Sequence, residues 1–438
     1  LGCNAEEAPF ACSRCRAVRY CSSTCQKDTW SSHRSKCSAL ASQAGKVMAH
    51  GDNDDWLGLI GFDAFPGKDA AVMRGTVEAA KEKCLEGGFG GFVWFRDAAY
   101  FRAQSSCELA ANTQAAPGAM LWLPSKELIR AQLSSRHSWT LPPDLPEVIV
   151  PGAHPVEKLG GLSMEQMTSR FRESRPVVLI DAQKDWAATS KWTFEWLSQH
   201  FPDEEIPCSD LAPFFRHSDR GKILTVKTSM REYVRYITGE PSGLRILQKS
   251  ESQVFYGNGW CPFQQHEHLL DDVSDMLYCV SDTIPRRHEA TKAFNLSLTK
   301  VFLGPAGTVS RLHHDTYATH VWLSQVRGRK QFICYLPEDS KYLHAHVEDE
   351  CDGRTSLFDP SAPDYDKFPD ARKARPFSVV VEEGETVVLP SRWWHWAKSL
   401  TPSVTLMRNF INDVNMTDYV NIQKAVNQKN ACRASPAA

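Results

Sequence analysis

The sequence predicts a mainly β protein with flanking helices, preceded by a small metal-stabilised module. Three observations carry this. Six of the 14 cysteines fall within the first 37 residues. From residue 253 onward, short apolar runs recur between glycine and proline turns, the pattern of a sandwich or barrel. Between these regions, residues 157–250 show amphipathic helical spacing with one buried-strand signal, Pro176–Ile180.

Composition sets bounds. The 438 residues leave room for about three domains, or one large domain with attachments. With 50 basic and 52 acidic residues the net charge is −2, so no basic excess points to nonspecific nucleic-acid binding. A chain that is 42% hydrophobic and 23% charged can bury an ordinary core. No run of about 18 apolar residues predicts a membrane span. No charged-then-apolar leader opens the chain, so an intracellular site, nucleus or cytoplasm, is expected. The first residue is Leu1 rather than Met, which reads as a fragment or a trimmed product.

In order along the chain, residues 1–40 lack an apolar run long enough for a core and form the cysteine-rich module. Residues 41–56 are small, polar and acidic and read as a linker. Residues 57–133 read as a small α/β segment whose chemistry is silent. There Ala70–Leu85 is helix-like and stopped by glycines, Gly91–Arg102 reads as two strands around Arg96-Asp97, and Met120–Leu123 is an apolar run. Prolines mark residues 134–146 as an extended connector. Residues 147–425 form the main domain. Its strand signals are Val254–Tyr256, Leu298–Leu303, Val321–Val326, Gln331–Leu336, Ser378–Val381, Thr386–Leu389 and Val404–Ile411. Residues 426–438 read as a flexible, frayed tail.

The cysteine cluster runs Cys3, Cys12, Cys15, Cys21, Cys25, His33, Cys37. Thiolates and an imidazole at this spacing suit tetrahedral Zn²⁺. So short a segment cannot fold on apolar burial alone, and bound metal would supply the folding energy.

A second constellation is His313-His314-Asp315, followed by His395 inside Trp393-Trp394-His395-Trp396. An H-x-D match is weak alone, since about one arises by chance at this composition. His50-Gly51-Asp52, in the polar linker, is read as such a chance match. His313 and Asp315 lie two apart, so on a strand they face one side. Two histidines and one carboxylate with open positions form the facial triad of non-haem Fe(II) sites. A solvated His-Asp pair with a core His395 accounts for the spacing equally well.

The residues around these motifs resemble two families. Cys12-Ser-Arg-Cys15, Tyr20-Cys21, Cys25-Gln26, Trp30, His33 and Cys37 resemble the MYND zinc finger. The resemblance implies up to two structural zincs, one held by Cys12, Cys15, His33 and Cys37. The other would take Cys3, Cys21, Cys25 and a cysteine two residues before Leu1, which this chain lacks. It also implies binding of proline-containing peptides of partner proteins.

Residues 147–425 are similar to JmjC domains of the cupin-8 type. The likeness rests on Arg175-Pro-Val-Val-Leu-Ile180, Trp186, Phe302-Leu-Gly-Pro-Ala-Gly-Thr308, Leu312-His-His-Asp315, Gln325-Val-Arg-Gly-Arg-Lys330, Trp393-Trp-His395 and Arg408-Asn-Phe410. It implies a double-stranded β-helix (jelly roll) and an Fe(II)- and 2-oxoglutarate-dependent dioxygenase with His313, Asp315 and His395 on iron. Lys330 would pair with the distal carboxylate of 2-oxoglutarate, with Arg408 as runner-up.

Ser310 matches a carboxylate-bonding hydroxyl, but its strand parity opposes His313, so a bulge is required. Asn409 matches an amide near the metal. Tyr256 is a candidate phenol over the lysine-bound carboxylate, with core packing the stronger alternative. An Asn that related hydroxylases carry after H-x-D is missing, and Thr319 or His320 would stand in. Trp393, Trp394 and Trp396 are expected to keep the pocket dry.

Within that chemistry, hydroxylation of a protein side chain is expected, since no reader finger or basic stripe points to chromatin. N-methyl demethylation of a protein or histone is the alternative by the same chemistry. A catalytically inactive interaction protein is the alternative from another class.

Overall fold

The apolar alternation after residue 253 becomes two antiparallel sheets through which the chain winds. Thr299–Gly304 lies in the larger sheet, Val309–His314 in the smaller, His320–Arg327 in the larger and Lys330–Tyr335 in the smaller. The same exchange repeats through Pro376–Val381, Thr386–Leu389, Trp394–Ser399 and Ser403–Phe410. This is the winding of a double-stranded β-helix. Val178, Val321, Leu323, Phe332, Val381 and Leu389 fill the space between the two sheets. The structure is a computed structural model and describes residues 10–11, 19–20, 56–134, 144–210, 224–248, 254–273, 277–283, 296–347 and 352–434.

Turn chemistry enforces the register. Gly328, between His320–Arg327 and Lys330–Tyr335, has φ +72°, and a Cβ there would lie 2.1 Å from the Pro402 carbonyl oxygen. Only glycine tolerates both conditions. The turn delivers Lys330 as the first residue of its strand.

Two compact units divide the chain, Leu1–Asp55 and Trp56–Ala438. In the first, Phe10–Ala11 pairs antiparallel with Arg19–Tyr20. Cys3, Cys12, Cys15, Cys21, Cys25, His33 and Cys37 lie outside the described residues, as does His50-Gly51-Asp52.

Within the second unit, residues 56–124 contribute strands to the larger sheet. Trp56–Ala64 pairs with Thr113–Pro124 on one side and Thr225–Ser229 on the other. Pairing continues through Glu205–Asp210 and Phe255–Trp260 to Thr299–Gly304. The sheet reaches 14 strands among the described residues. Glu205–Asp210 and Thr225–Ser229 are strands where helical spacing was expected.

Other local expectations are corrected or met. Ala70–Leu85 is not one helix: Ala71–Arg74 is a strand paired with Ala98–Arg102, and the helix is Val77–Glu86. Thr76 caps that helix by accepting the Ala79 N–H. The hairpin of Gly91–Phe95 and Ala98–Arg102 forms as expected, with Arg96 and Asp97 at φ 48° and 62°. The C-terminal helix Met416–Ala434 runs past Asn427, where a frayed tail was expected. Helical propensity in Gln423-Lys-Ala-Val-Asn-Gln-Lys survives the polar composition.

Candidate metal centre

His313 and His395 are paired across neighbouring antiparallel strands, Val309–His314 and Trp394–Ser399. Their rings are 4.2 Å apart, centroid to centroid. Each Nδ1 faces the backbone carbonyl two residues earlier: Arg311 O at 2.7 Å for His313, and Trp393 O at 3.1 Å for His395. A carbonyl only accepts, so both Nδ1 atoms carry the proton and both Nε2 lone pairs are left for a metal. Asp315 follows the first strand, with Oδ1 3.7 Å from His313 Nε2. His313, Asp315 and His395 each offer a ligand atom, and these atoms all lie within 4.8 Å of one another. Such a set could hold a metal ion.

Electrostatics favour the ligand forms. Burial drives the His395 imidazole down to about 4, and His313 adds to this, so it is neutral at physiological pH. Burial raises the Asp315 carboxyl, but His395, His313, the Asn409 hydrogen bond and Lys300 outweigh it and hold the group below its ordinary value. Asn409 Nδ2 donates to Asp315 Oδ2 at 2.8 Å and to Thr319 Oγ1 at 3.1 Å. The amide thereby fixes the carboxylate's rotation.

The triad opens into a cavity of about 480 Å³ between the sheets. Tyr256, Ser310, Lys330 and Asn409 line the same cavity, so all seven residues expected at the iron and cosubstrate site come together. Lys330 is 3% exposed, and its Nζ donates to Thr405 Oγ1 at 2.8 Å and to Tyr256 Oη at 3.3 Å. No carboxylate pairs with it among the described residues. Burial pushes the ammonium down from its ordinary 10.5 to about 7. The register shift between Ser310 and His313 supplies the bulge that their shared orientation requires. Ser310 reaches the Tyr256 phenol, whose own titration burial pushes up. Tyr256 therefore faces the cavity as a hydrogen-bonding group and is more than core packing.

Two expectations are corrected and a third is narrowed. Arg408 does not line the cavity. It alternates with Met407 and Asn409, which do, so it points behind the sheet. There it is fully buried against Asp282 Oδ2 at 2.7 Å and Thr299 Oγ1 at 3.0 Å.

Of the two stand-ins for the missing Asn, Thr319 reaches the site. His320 instead stacks on Phe171 and bridges Asn412 Oδ1 and the Ser391 N–H.

None of the three tryptophans lines the cavity. Trp394 and Trp396 flank His395 and so project to the other face, into a cluster with Leu312 and Phe358. Trp393 packs among Val156, Val178 and Ala397. The water-excluding walls are Phe302, Leu323, Phe332 and Met407.

Sequence reasoning missed Thr405, Lys300 and Arg354. Strand alternation from Asn409 back through Met407 would have found Thr405.

A family model for the cupin-like domain matches residues 164–416, and one for the MYND finger matches residues 2–37. The fold and the His-Asp-His cavity agree with the first, and the chain belongs to the cupin-like domain family. Among curated relatives, it is 27% identical over 256 residues to Jumonji C domain-containing protein 5 of Drosophila melanogaster, covering 57% of this chain and 58% of that one. It is 27% identical over 258 residues to Lysine-specific demethylase JMJ30 of Arabidopsis thaliana, covering 57% and 53%. It is 34% identical over 243 residues to JmjC domain-containing protein D of Dictyostelium discoideum, covering 53% and 51%. The chain thus spans a little over half the length of the relatives it matches.

Proposed function

We propose that this chain is an Fe(II)- and 2-oxoglutarate-dependent dioxygenase that hydroxylates a protein side chain, with an N-terminal zinc finger that recruits a proline-containing partner. The observation that carries the reading is Lys330, a buried ammonium whose partners among the described residues are hydroxyls, in the cavity that the triad opens into. A lysine is costly to bury there unless an anion pairs with it. The distal carboxylate of 2-oxoglutarate is such an anion.

The residues present fit both groups. His313 Nε2, His395 Nε2 and one Asp315 oxygen would hold iron on one face and leave the others open. Iron and 2-oxoglutarate, when bound, would supply oxidative decarboxylation by O₂ to succinate and carbon dioxide, with one oxygen atom of O₂ entering succinate and the other a substrate C–H bond. The protein's part is placement. Lys330, Tyr256 and Thr405 bind the distal carboxylate, Asn409 holds Asp315, and Phe302, Phe332 and Met407 keep water out.

A second reading, N-methyl demethylation, is favoured by relatives whose names state lysine-specific demethylase. The two readings differ in product. Purified protein with Fe(II), ascorbate and 2-oxoglutarate should release succinate, and Asp315→Ala should not. Mass spectrometry of peptide pools and histone tails then distinguishes gain of one oxygen from loss of a methylene. No succinate release from the wild type would leave a non-catalytic interaction protein.

A further inference from the structure

The cavity wall carries a charge pattern that the metal and cosubstrate do not use. Among the described residues its lining holds four cations, Lys300, Arg311, Lys330 and Arg354, and one carboxylate, Asp315. A divalent metal and Lys330 together balance Asp315 and the two carboxylates of 2-oxoglutarate. Lys300 and Arg354 stand outside that balance.

Lys300 is the informative one. It lies on Thr299–Gly304, directly across from Met407, and alternation with Phe302 turns it to the cavity. Met407 stands on its strand between Thr405, which bonds Lys330, and Asn409, which bonds Asp315. The Lys300 ammonium is near enough to Asp315 to help hold that carboxyl down. Yet it makes no ion pair among the described residues. Its stem runs past Gly259, whose missing side chain would meet Lys300 Cδ at 3.7 Å. Arg354 borders the same opening, and the Asp352 carboxylate it approaches at 3.5 Å is shared with Arg392 at 3.3 Å.

We propose that the primary substrate is an acidic protein segment, with an Asp or Glu carboxylate paired to Lys300 and Arg354 beside the oxidised carbon. The inference rests on the oxygenase reading above and narrows it. A half-buried, unpaired ammonium gains most from an anion that shares its low-dielectric surroundings. A methylated lysine or arginine target would instead place its cation against these groups, and Asp315 is the one carboxylate lining the cavity among the described residues. The pattern therefore favours hydroxylation of an acidic or neutral target over N-demethylation.

The test uses the full chain loaded with Fe(II) and 2-oxoglutarate under argon, so that binding is read without turnover. Fluorescence anisotropy compares three labelled peptide pools of equal length: rich in Asp and Glu, uncharged, and carrying trimethyl-lysine. The acidic pool should bind roughly tenfold tighter or better, with the margin shrinking as salt rises. Lys300→Met, which keeps the stem, should lose most of that preference, and Lys300→Arg should keep it. Equal binding of the pools, preference for trimethyl-lysine, or an unchanged acidic preference in Lys300→Met would overturn the proposal. So would stronger competition by a short single-stranded oligonucleotide than by acidic peptide. The parent reading fails separately, if aerobic wild-type protein releases no succinate.

Discussion

Replacing Lys330 with methionine should move affinity and stability in opposite directions. In the proposed complex Lys330 would pair with a buried carboxylate, and removing one partner of such a pair costs about 3–5 kcal/mol. Tyr256 still offers a hydroxyl donor to that carboxylate, which places the loss toward the lower end. At about 1.4 kcal/mol per tenfold, 2-oxoglutarate should bind roughly a hundredfold more weakly.

Without ligand the same lysine is a liability. Unfolded, it keeps its proton to its ordinary 10.5, whereas folded it loses it near 7. Between those values the unfolded chain binds more protons, so stability of the ligand-free protein rises with pH through that window. Lys330→Met should remove this slope and raise the melting temperature at pH 7. Binding an anion demands the protonated amine, so wild-type 2-oxoglutarate affinity should fall roughly tenfold per pH unit above about 7. Tyr256, the other titratable group facing Lys330, stays neutral there because burial pushes it up. In Lys330→Arg affinity should be weakened but flat with pH, since guanidinium stays charged and has a different reach. Calorimetric titration of 2-oxoglutarate at pH 6.5, 7.5 and 8.5 with thermal melts checks all three. Normal affinity in Lys330→Met, or a wild-type affinity that rises with pH, would refute the assignment.

Arg408→Ala should leave 2-oxoglutarate affinity near normal but cost about 3–5 kcal/mol of stability, read by urea unfolding, because it removes the guanidinium paired to the buried Asp282 carboxylate. Asp315→Ala should abolish metal binding in a Co(II) absorbance titration while preserving the fold, whereas Asp52→Ala should change neither metal binding nor succinate release. Asn409→Ala should weaken metal binding about tenfold or more, as loss of an outer hydrogen bond to a ligating carboxylate does. Elemental analysis of the full chain, with the Asp315→Ala background removing iron-site metal, should find one tight zinc, on Cys12, Cys15, His33 and Cys37, and a second that is weak. Two equally tight zincs would refute that ligand assignment.

The site was legible in sequence where strand parity was. His313 and Asp315 sit two apart, and Lys330 opens a strand after a required glycine. Ser310 broke parity and correctly implied a bulge. The errors arise where local pattern meets tertiary context. The Trp-Trp-His-Trp run suggested an aromatic lining, but alternation sends Trp394 and Trp396 to the face opposite His395. Arg408, the runner-up anion partner, is turned away by its parity with Asn409, which pairing to Thr299–Gly304 sets. Glu205–Asp210 and Thr225–Ser229 carry no strong strand signal, because they are specified by the sheet they join rather than by their own propensity. Lys300 escaped notice because a single lysine on a strand looks like an ordinary solvated group.

The strand pairing that runs from Trp56–Ala64 through to Thr299–Gly304 has a practical corollary. A polypeptide begun at residue 147, where the family resemblance starts, would leave Thr225–Ser229 as a bare edge. Its N–H and C=O groups, now satisfied by Gly58, Leu59 and Ile60, would be exposed as a template for intermolecular pairing. Leu57 and Leu59, wholly buried in the intact chain, would leave a hole in the shared core. Such a truncation should precipitate or self-associate, because the segment whose chemistry is silent in sequence covers that edge of the larger sheet.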